Sequence, residues 1–243
     1  MESLIIKIVA RLLQHHSITF AFVGEIALNY YNVPRVRHDI EVCVPSPLLQ
    51  VTADMLLATG LFQRSDPDSF NLYSEYKRGM PRLSTTGWLA PTQFVCLFPD
   101  EFFHLEPLEK SLVAWEQPAS PGREPCYYIS EHMLDTDGLR ASDIRSLSLP
   151  RLSRLLVGFA RRYLDQKDDT AMIAAEQLVD GMDVDESWCA RHLRGESQSV
   201  ISLIRGLVQG KASRLDDFSD YHVTCFLKDE AVARLVRGIP GYD

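Results

Sequence analysis

The sequence predicts an α/β (α+β) protein, with a small mixed sheet and flanking helices followed by a C-terminal helical bundle. Residues 20–44 contain a strand pattern, a glycine, a short helical pattern and a second strand pattern. Residues 61–98 contain more strand-like runs between polar turns, and apolar residues recur at helical spacing from residue 148 onward. We therefore predict an α/β domain at residues 1–145 and a helical domain at residues 146–243.

The N-terminal segment is predicted to form an amphipathic helix that packs against the sheet. Its apolar residues share one face for about three turns. Lys7 and Arg11 interrupt the apolar segment, so it is typical of neither a signal peptide nor a membrane span. The apolar positions are Leu4, Ile5, Ile8, Val9, Leu12 and Leu13.

The next segment predicts two strands with a short helix between them. Residues 20–23 are an apolar run that ends at Gly24, and apolar residues fall at helical spacing in residues 25–31. Pro34 prevents this helix from continuing. Apolar and polar residues then alternate over residues 39–44, as they do in a strand. Gly24 is therefore expected to be the turn between a strand and a helix.

Two carboxylates stand two residues apart in the second of these strands, Asp39 and Glu41. Side chains with this spacing point to the same face with Cβ atoms roughly 6 to 7 Å apart, so their oxygens can share a divalent cation. The alternative is a strand whose solvent face is acidic, as in many antiparallel sheets. The spacing alone leaves both interpretations open.

The segment VGEIALNYYNVPRVRHDIEV resembles the corresponding segment of the nucleotidyltransferase superfamily, in particular of its minimal and antitoxin-like members. The resemblance covers about residues 17–60, with agreement in the order and spacing of six positions. Gly24 matches the first turn, Tyr31, Pro34 and Arg35 match the connection, and Asp39 and Glu41 match the metal-binding pair.

The resemblance implies a function as well as a fold. It implies Mg²⁺ held by Asp39 and Glu41, and transfer of a nucleoside monophosphate from a triphosphate to an acceptor hydroxyl or amine. Gly24 would then adjoin the nucleotide, and Arg35 and Arg37 become candidates for contact with phosphate. The alternative for both arginines is an ion pair with Asp39 or with surface acids.

The chain departs from the family pattern at positions that matter for chemistry. Glu25 replaces a small residue that would meet a phosphate, and its anionic group would repel a triphosphate. We retain Glu25 as a candidate third metal ligand or base. The family's third carboxylate belongs on a later strand, but the matching run at residues 93–98 has none, and Asp100 and Glu101 only follow it. These departures predict a degenerate active site.

Two further classes of function stay open beside metal-dependent transfer. One is a catalytically degenerate module that binds a small molecule or a protein in the cleft between sheet and bundle. The other is an antitoxin-like interaction protein, by analogy with small family members. A net charge of −8 argues against general nucleic-acid binding. Five cysteines without a CxxC pair indicate reduced thiols and a cytoplasmic protein.

The remaining elements are predicted from periodicity and turn residues. A helix at 47–58 is expected to turn Leu48, Leu49, Val51, Met55 and Leu56 inward. Residues 61–92 are expected to form short strands whose core includes Phe70, Leu72 and Tyr73, and 116–125 is the most linker-like stretch. A helix is predicted at 150–166, with its arginines on faces other than the apolar one, and further helices are predicted at 168–181, 185–193, 199–208 and 228–237.

Overall fold

The computed structural model describes most of the chain. The described residues are 2–66, 72, 74–115, 128–135, 139–215, 218 and 220–243. The linker-like stretch at 116–125 and two of the predicted strand residues, Phe70 and Tyr73, lie outside them.

The N-terminal half alternates helices with short strands. A 3₁₀ turn, Glu75–Lys77, lies between the third and fourth strands. The elements are α1 (Glu2–His15), β1 (Ala21–Phe22), α2 (Gly24–Tyr30), β2 (Ile40–Val44), α3 (Leu49–Ala58), β3 (Phe62–Arg64), β4 (Arg82–Thr85) and β5 (Phe94–Pro99).

Among the described residues, these five strands form one mixed sheet in the order β1-β2-β5-β4-β3. β2 and β5 are parallel neighbours at its centre, and the other pairs are antiparallel. Every residue of β2 is buried. The acidic face of β2 is therefore covered by protein, and the alternative of a solvent-facing acidic strand is wrong.

Gly24 makes the sharp change from β1 to α2 possible. Its φ is +56°, a region that residues with a Cβ rarely adopt. The chain leaves α2 at Tyr31 and passes through Pro34 before it enters β2. The predicted strand, glycine turn, helix and second strand are all confirmed.

The C-terminal region is helical, and most of its long helices begin at a polar cap. Asp168, Asp185, Ser197 and Asp229 each accept hydrogen bonds from backbone N–H groups at the start of a helix. The helices are α4 (Glu131–Asp135), α5 (Ala141–Ile144), α6 (Leu152–Gln166), α7 (Asp169–Gly181), α8 (Glu186–His192), α9 (Gln198–Gln209) and α10 (Glu230–Val236).

The sheet and the helical region share one hydrophobic core. Tyrosines of the N-terminal half also bond the last residues, because the Tyr30 hydroxyl donates to the carbonyl of Pro240 at 2.8 Å. α6 packs closely on the turn after β5: a Cβ at Gly158 would lie 2.1 Å from the Phe103 carbonyl oxygen. This approach holds α6 against the 3₁₀ turn that follows β5. The predicted boundary at residue 145 stays a prediction.

Two predictions about packing are wrong. Val51 is 58% exposed, whereas Thr52, Ala53 and Leu56 are the buried residues of α3, so the inward face is rotated from the expected one. Leu72 is 67% exposed and lies in a turn, not in a strand core.

Among the described residues, no helix is both long and apolar enough to cross a membrane.

Candidate functional site

A cleft of about 390 Å³ lies between the sheet and the helical region. One wall comes from α2, the loop after it and β2, and the other from α6 and α7. The turn at Ser74–Lys77 closes one side. Of the predicted site residues, Gly24, Glu25, Arg35, Asp39 and Glu41 all line this cleft.

Asp39 and Glu41 lie side by side as the spacing predicted, but a lysine occupies the space between them. The Lys77 Nζ is 3.1 Å from Asp39 Oδ2 and 2.8 Å from Glu41 Oε1. All three side chains are at most 10% exposed. The ammonium group thus neutralises the pair from the position that a bridging cation would take.

A second basic residue also holds Asp39. The Arg82 Nη2 donates to Asp39 Oδ1 at 3.2 Å. Burial by itself would raise the pKa of Asp39, but the charges of Lys77 and Arg82 and their hydrogen bonds outweigh it and lower the pKa. Burial would lower the pKa of Lys77, but Glu41 and Asp39 outweigh it, so that pKa is raised. The carboxylate and the ammonium are therefore both charged at neutral pH.

Tyr76 covers Glu41 next to this ion pair. Its hydroxyl donates to Glu41 Oε1 at 2.5 Å, and its ring stacks on Phe98 and Phe102. Burial, followed by the negative charge of Glu41, raises the pKa of Tyr76 well above its usual value. Tyr76 and Lys77 together tie the 3₁₀ turn to β2.

Arg162 extends this cluster into the helical region. Its guanidinium lies 5.2 Å from the Tyr76 ring centre and 4.4 Å from that of Phe102, and it bonds Asp168. Arg162 is only 1% exposed, so the prediction that the arginines of α6 lie on faces other than the inward, apolar one is wrong for this residue. Aromatic faces and one carboxylate offset the cost of burying this charge.

Glu25 lies at the mouth of the cleft and is engaged by His38. Its Oε2 accepts from the backbone N–H of His38 at 2.6 Å, and its Oε1 lies 2.8 Å from His38 Nδ1. Burial raises the pKa of Glu25, although the hydrogen bonds from His38 act against it. Glu25 is therefore close to the pair but already has a partner.

Gly24 lies directly against Glu41. A Cβ at position 24 would come within 2.2 Å of Glu41 Oε2, so only glycine leaves room for this carboxylate. Glu41 Oε2 is enclosed and has no hydrogen-bond partner among the described residues. The turn thus shapes the site through its lack of a side chain.

No third carboxylate joins the pair within the described part of the chain. The residue opposite Glu41 on β5 is Cys96. Asp100 lies six residues beyond the level of Asp39 along parallel strands, which is about 20 Å. Its Oδ1 instead accepts from the backbone N–H and hydroxyl of Ser46, both at 2.8 Å.

The residues as they lie do not fit a divalent cation. Mg²⁺ needs oxygen ligands in an octahedral shell. Lys77 already contacts Asp39 Oδ2 and Glu41 Oε1, and Arg82 contacts Asp39 Oδ1, so three of the four carboxylate oxygens are engaged. In the described ranges, no group of three or more His, Cys, Asp or Glu side chains is arranged to hold a metal ion. We therefore derive no chemical step through a metal.

The two candidate phosphate ligands differ in position. Arg35 lines the cleft and forms no ion pair with any described residue, and Asp39 pairs with Lys77 and Arg82 instead. Arg37 is half-buried and is not among the cleft residues. Only Arg35 is therefore placed to meet a ligand in this cleft.

Several residues of the site have no signal in the sequence. Tyr76, Lys77 and Arg82 lie in or after a polar turn, and Arg162 looks like one of several surface arginines of a helix. His38 directly precedes Asp39, and this adjacency is the only clue to its position near the pair.

Comparisons with known proteins find similar solved structures but no matching sequence. No family model matches the chain, and no curated protein sequence matches it. Among solved structures it is similar to the antibiotic-resistance factor ANT(2'')-Ia, described as having substrate-regulated conformation dynamics. The TM-score is 0.40 at 10% identity, over 91% of this chain and 100% of that chain. A likeness at this level carries no argument, so the functional conclusion depends on the site itself.

Proposed function

We propose that this chain is a nucleotidyltransferase-like protein with a degenerate active site, whose cleft binds a small molecule without a divalent cation. The observation that supports this proposal is the Lys77 ammonium, 3.1 Å from Asp39 and 2.8 Å from Glu41. An internal cation makes an external one unnecessary for the charge balance of the buried pair.

The proposal predicts that the cation position is latent and that removing Lys77 opens it. In Lys77→Ala, Glu41 loses its counter-ion and Asp39 keeps only Arg82, so a divalent cation can take the place of the ammonium group. We expect equilibrium dialysis with Mn²⁺ to show binding to Lys77→Ala and not to the wild type. Added Mg²⁺ should also raise the melting temperature of the variant alone, because a ligand stabilises the state that binds it.

A matched control is Lys7→Ala. Lys7 pairs with Asp143 at 3.1 Å, but this pair lies on α1 and α5, outside the cleft. Loss of that lysine should create no Mn²⁺ site. If wild-type protein binds Mn²⁺ as tightly as Lys77→Ala does, the proposal of a metal-free cleft is wrong.

Metal-dependent transfer of a nucleoside monophosphate is the second candidate function. It is favoured by the position of Asp39 and Glu41 on one strand below the Gly24 turn. It requires the Lys77 ammonium to leave the pair when Mg²⁺ and a triphosphate enter. Calorimetry of wild-type protein with ATP separates the two functions: tight binding that disappears in EDTA and in Asp39→Ala supports the transferase.

Small-molecule binding itself can be tested through α7. Ile173 lines the cleft and is 40% exposed, so Ile173→Glu should obstruct the cleft without damage to the core. Compounds that raise the melting temperature of wild-type protein in EDTA should lose this effect in Ile173→Glu. Val51→Glu is the control, because Val51 is also exposed but lies on α3 away from the cleft.

A further inference from the structure

Most charges in the cleft are already balanced by partners within the protein. Asp39 and Glu41 are countered by Lys77 and Arg82, and Glu25 is hydrogen-bonded by His38. Arg162 is countered by Asp168. The charge that is left over determines what kind of ligand the cleft can accept.

The group left over is Arg35. Its side chain is half-buried in the cleft wall, and its Nε has no hydrogen-bond partner among the residues described. No described carboxylate lies within ion-pair distance of it. A partly desolvated guanidinium without an acceptor is unfavourable, and an anion that enters the cleft would supply one.

Arg35 is also held in place before any ligand arrives. The side chain of buried Asn29 accepts from the Arg35 backbone N–H at 2.8 Å and donates to its carbonyl oxygen at 3.1 Å. Pro34 precedes it and restricts the backbone further. Because these hydrogen bonds already fix the backbone of the loop, ligand binding costs little conformational entropy there.

The wall of α6 and α7 adds apolar side chains to the cleft beside Arg162 and Thr170. Phe159 and Ala174 are buried there, and Ile173 exposes 40% of its surface. Leu28 of α2 adds a further apolar side chain to the lining. Small-molecule sites commonly combine such apolar walls with a few polar groups that fix orientation.

Resting on the proposed metal-free cleft, we propose that its ligand is a small organic anion with an apolar body. The anionic group, a carboxylate or a phosphate, bonds Arg35. The apolar body lies against Leu28, Phe159 and Ile173. A ligand with an ammonium group in place of the anion would face Arg35 and be repelled.

The experiment uses four probes in EDTA, measured by calorimetry on the full chain. The probes are phenyl phosphate, phenylacetate, benzylamine and inorganic phosphate. We expect the two aromatic anions to bind, and the tighter of them to identify phosphate or carboxylate as the preferred group. Benzylamine should bind at least tenfold more weakly because of its charge, and inorganic phosphate because it lacks an apolar body.

Variants of Arg35 test the assignment directly. Arg35→Ala should weaken the better anion about tenfold, which is typical for loss of a charged hydrogen bond. Arg35→Lys keeps the charge but loses the planar fork, so it should bind with intermediate affinity. Arg11→Ala, an exposed arginine of α1, removes the same charge outside the cleft and should leave binding unchanged.

The outcomes separate this inference from the proposed function. Equal binding by Arg35→Ala and wild type, tighter binding of benzylamine, or binding of no probe in EDTA would each overturn the assignment of an organic anion. If the anions bind only when Mg²⁺ is added, the metal-free cleft itself is wrong. If they bind in EDTA but independently of Arg35, the metal-free cleft stands and only the anion subsite fails.

Discussion

The described part of the chain contains two pairs of buried acidic side chains held by basic partners, and only one of them lies in the cleft. Glu41 lies in β2 and Asp39 directly precedes it, whereas Asp180 lies in the last turn of α7 and Asp183 two residues beyond its end. All four residues are at most 7% exposed, and basic side chains hold both pairs. Burial and ion pairing therefore do not by themselves identify a functional site.

The two pairs differ in how completely their oxygens are bonded. Arg214 binds both oxygens of Asp180 at 2.7 Å. Lys211 and Arg237 each bind one oxygen of Asp183 at 2.5 Å. Glu41 Oε2, in contrast, has no partner among the described residues. We infer that the salt bridges of Asp180 and Asp183, here called the lock, stabilise the helical region, whereas the pair at β2 faces the cleft.

The largest expected effect is the loss of the lock at the end of α7. Asp180→Asn removes the carboxylate that holds Arg214 at 2.7 Å and leaves it only Glu176 at 3.7 Å, so it should lower the free energy of unfolding by about 3 kcal/mol. Urea unfolding followed by circular dichroism measures the change. Asp54→Asn is the control: its pair with Arg64 is 59% and 65% exposed, and its loss should cost less than about 1 kcal/mol.

The Gly24 turn should give the next largest effect. Gly24→Ala puts an alanine at a φ of +56° and places its Cβ 2.2 Å from Glu41 Oε2. We therefore expect the free energy of unfolding to fall by about 2 to 3 kcal/mol. Gly206→Ala is the matched control, because nothing lies within 4 Å of a Cβ there in α9. It should stabilise the protein by about 0.5 to 1 kcal/mol. Equal effects at both glycines would contradict the proposed contact with Glu41.

Removing one charge of the cleft pair should cost less than removing one from the lock. In Glu41→Gln, Lys77 keeps Asp39 as its partner and Tyr76 can still donate to the amide oxygen. The expected loss is about 1 to 2 kcal/mol in urea unfolding. A loss as large as that of Asp180→Asn would show that both pairs are structural locks and remove the contrast between them.

The smallest expected effect is a change in the pH dependence of stability. Burial alone would raise the pKa of Asp39, but Lys77 and Arg82 lower it, so its stabilising contribution is fully present above the unfolded value near 4 and is lost as the pH falls further. Asp39→Asn should make the loss of stability in acid less steep. Urea midpoints of the wild type and Asp39→Asn, measured from neutral to acidic pH, test this. An equal dependence on pH in the two proteins would contradict it.

Glu25 should contribute to this pH dependence with the opposite sign. Burial raises its pKa, so the folded protein holds that proton at a pH where the unfolded chain has released it. The contribution of Glu25 to the free energy of unfolding therefore declines as the pH rises through this interval. Glu25→Gln should remove that decline, and an unchanged profile above the unfolded pKa would count against burial as the cause.

Local pattern was enough to predict the elements that carry the acidic pair. Alternation over residues 39–44 predicted β2, and helical spacing predicted α6, α7 and α9. The same reasoning failed where the faces of an element look alike: α3 is apolar on several sides, so periodicity did not identify Thr52 as buried or Val51 as exposed.

The sequence by itself determined which side chains share a strand and which turn needs a glycine, because both follow from backbone geometry over a few residues. Only the tertiary structure decided what fills the space between the two carboxylates. Lys77 is 38 positions from Asp39 and Tyr76 is 35 positions from Glu41. Such contacts depend on how the turn after β3 folds back on β2, and no local pattern encodes that path.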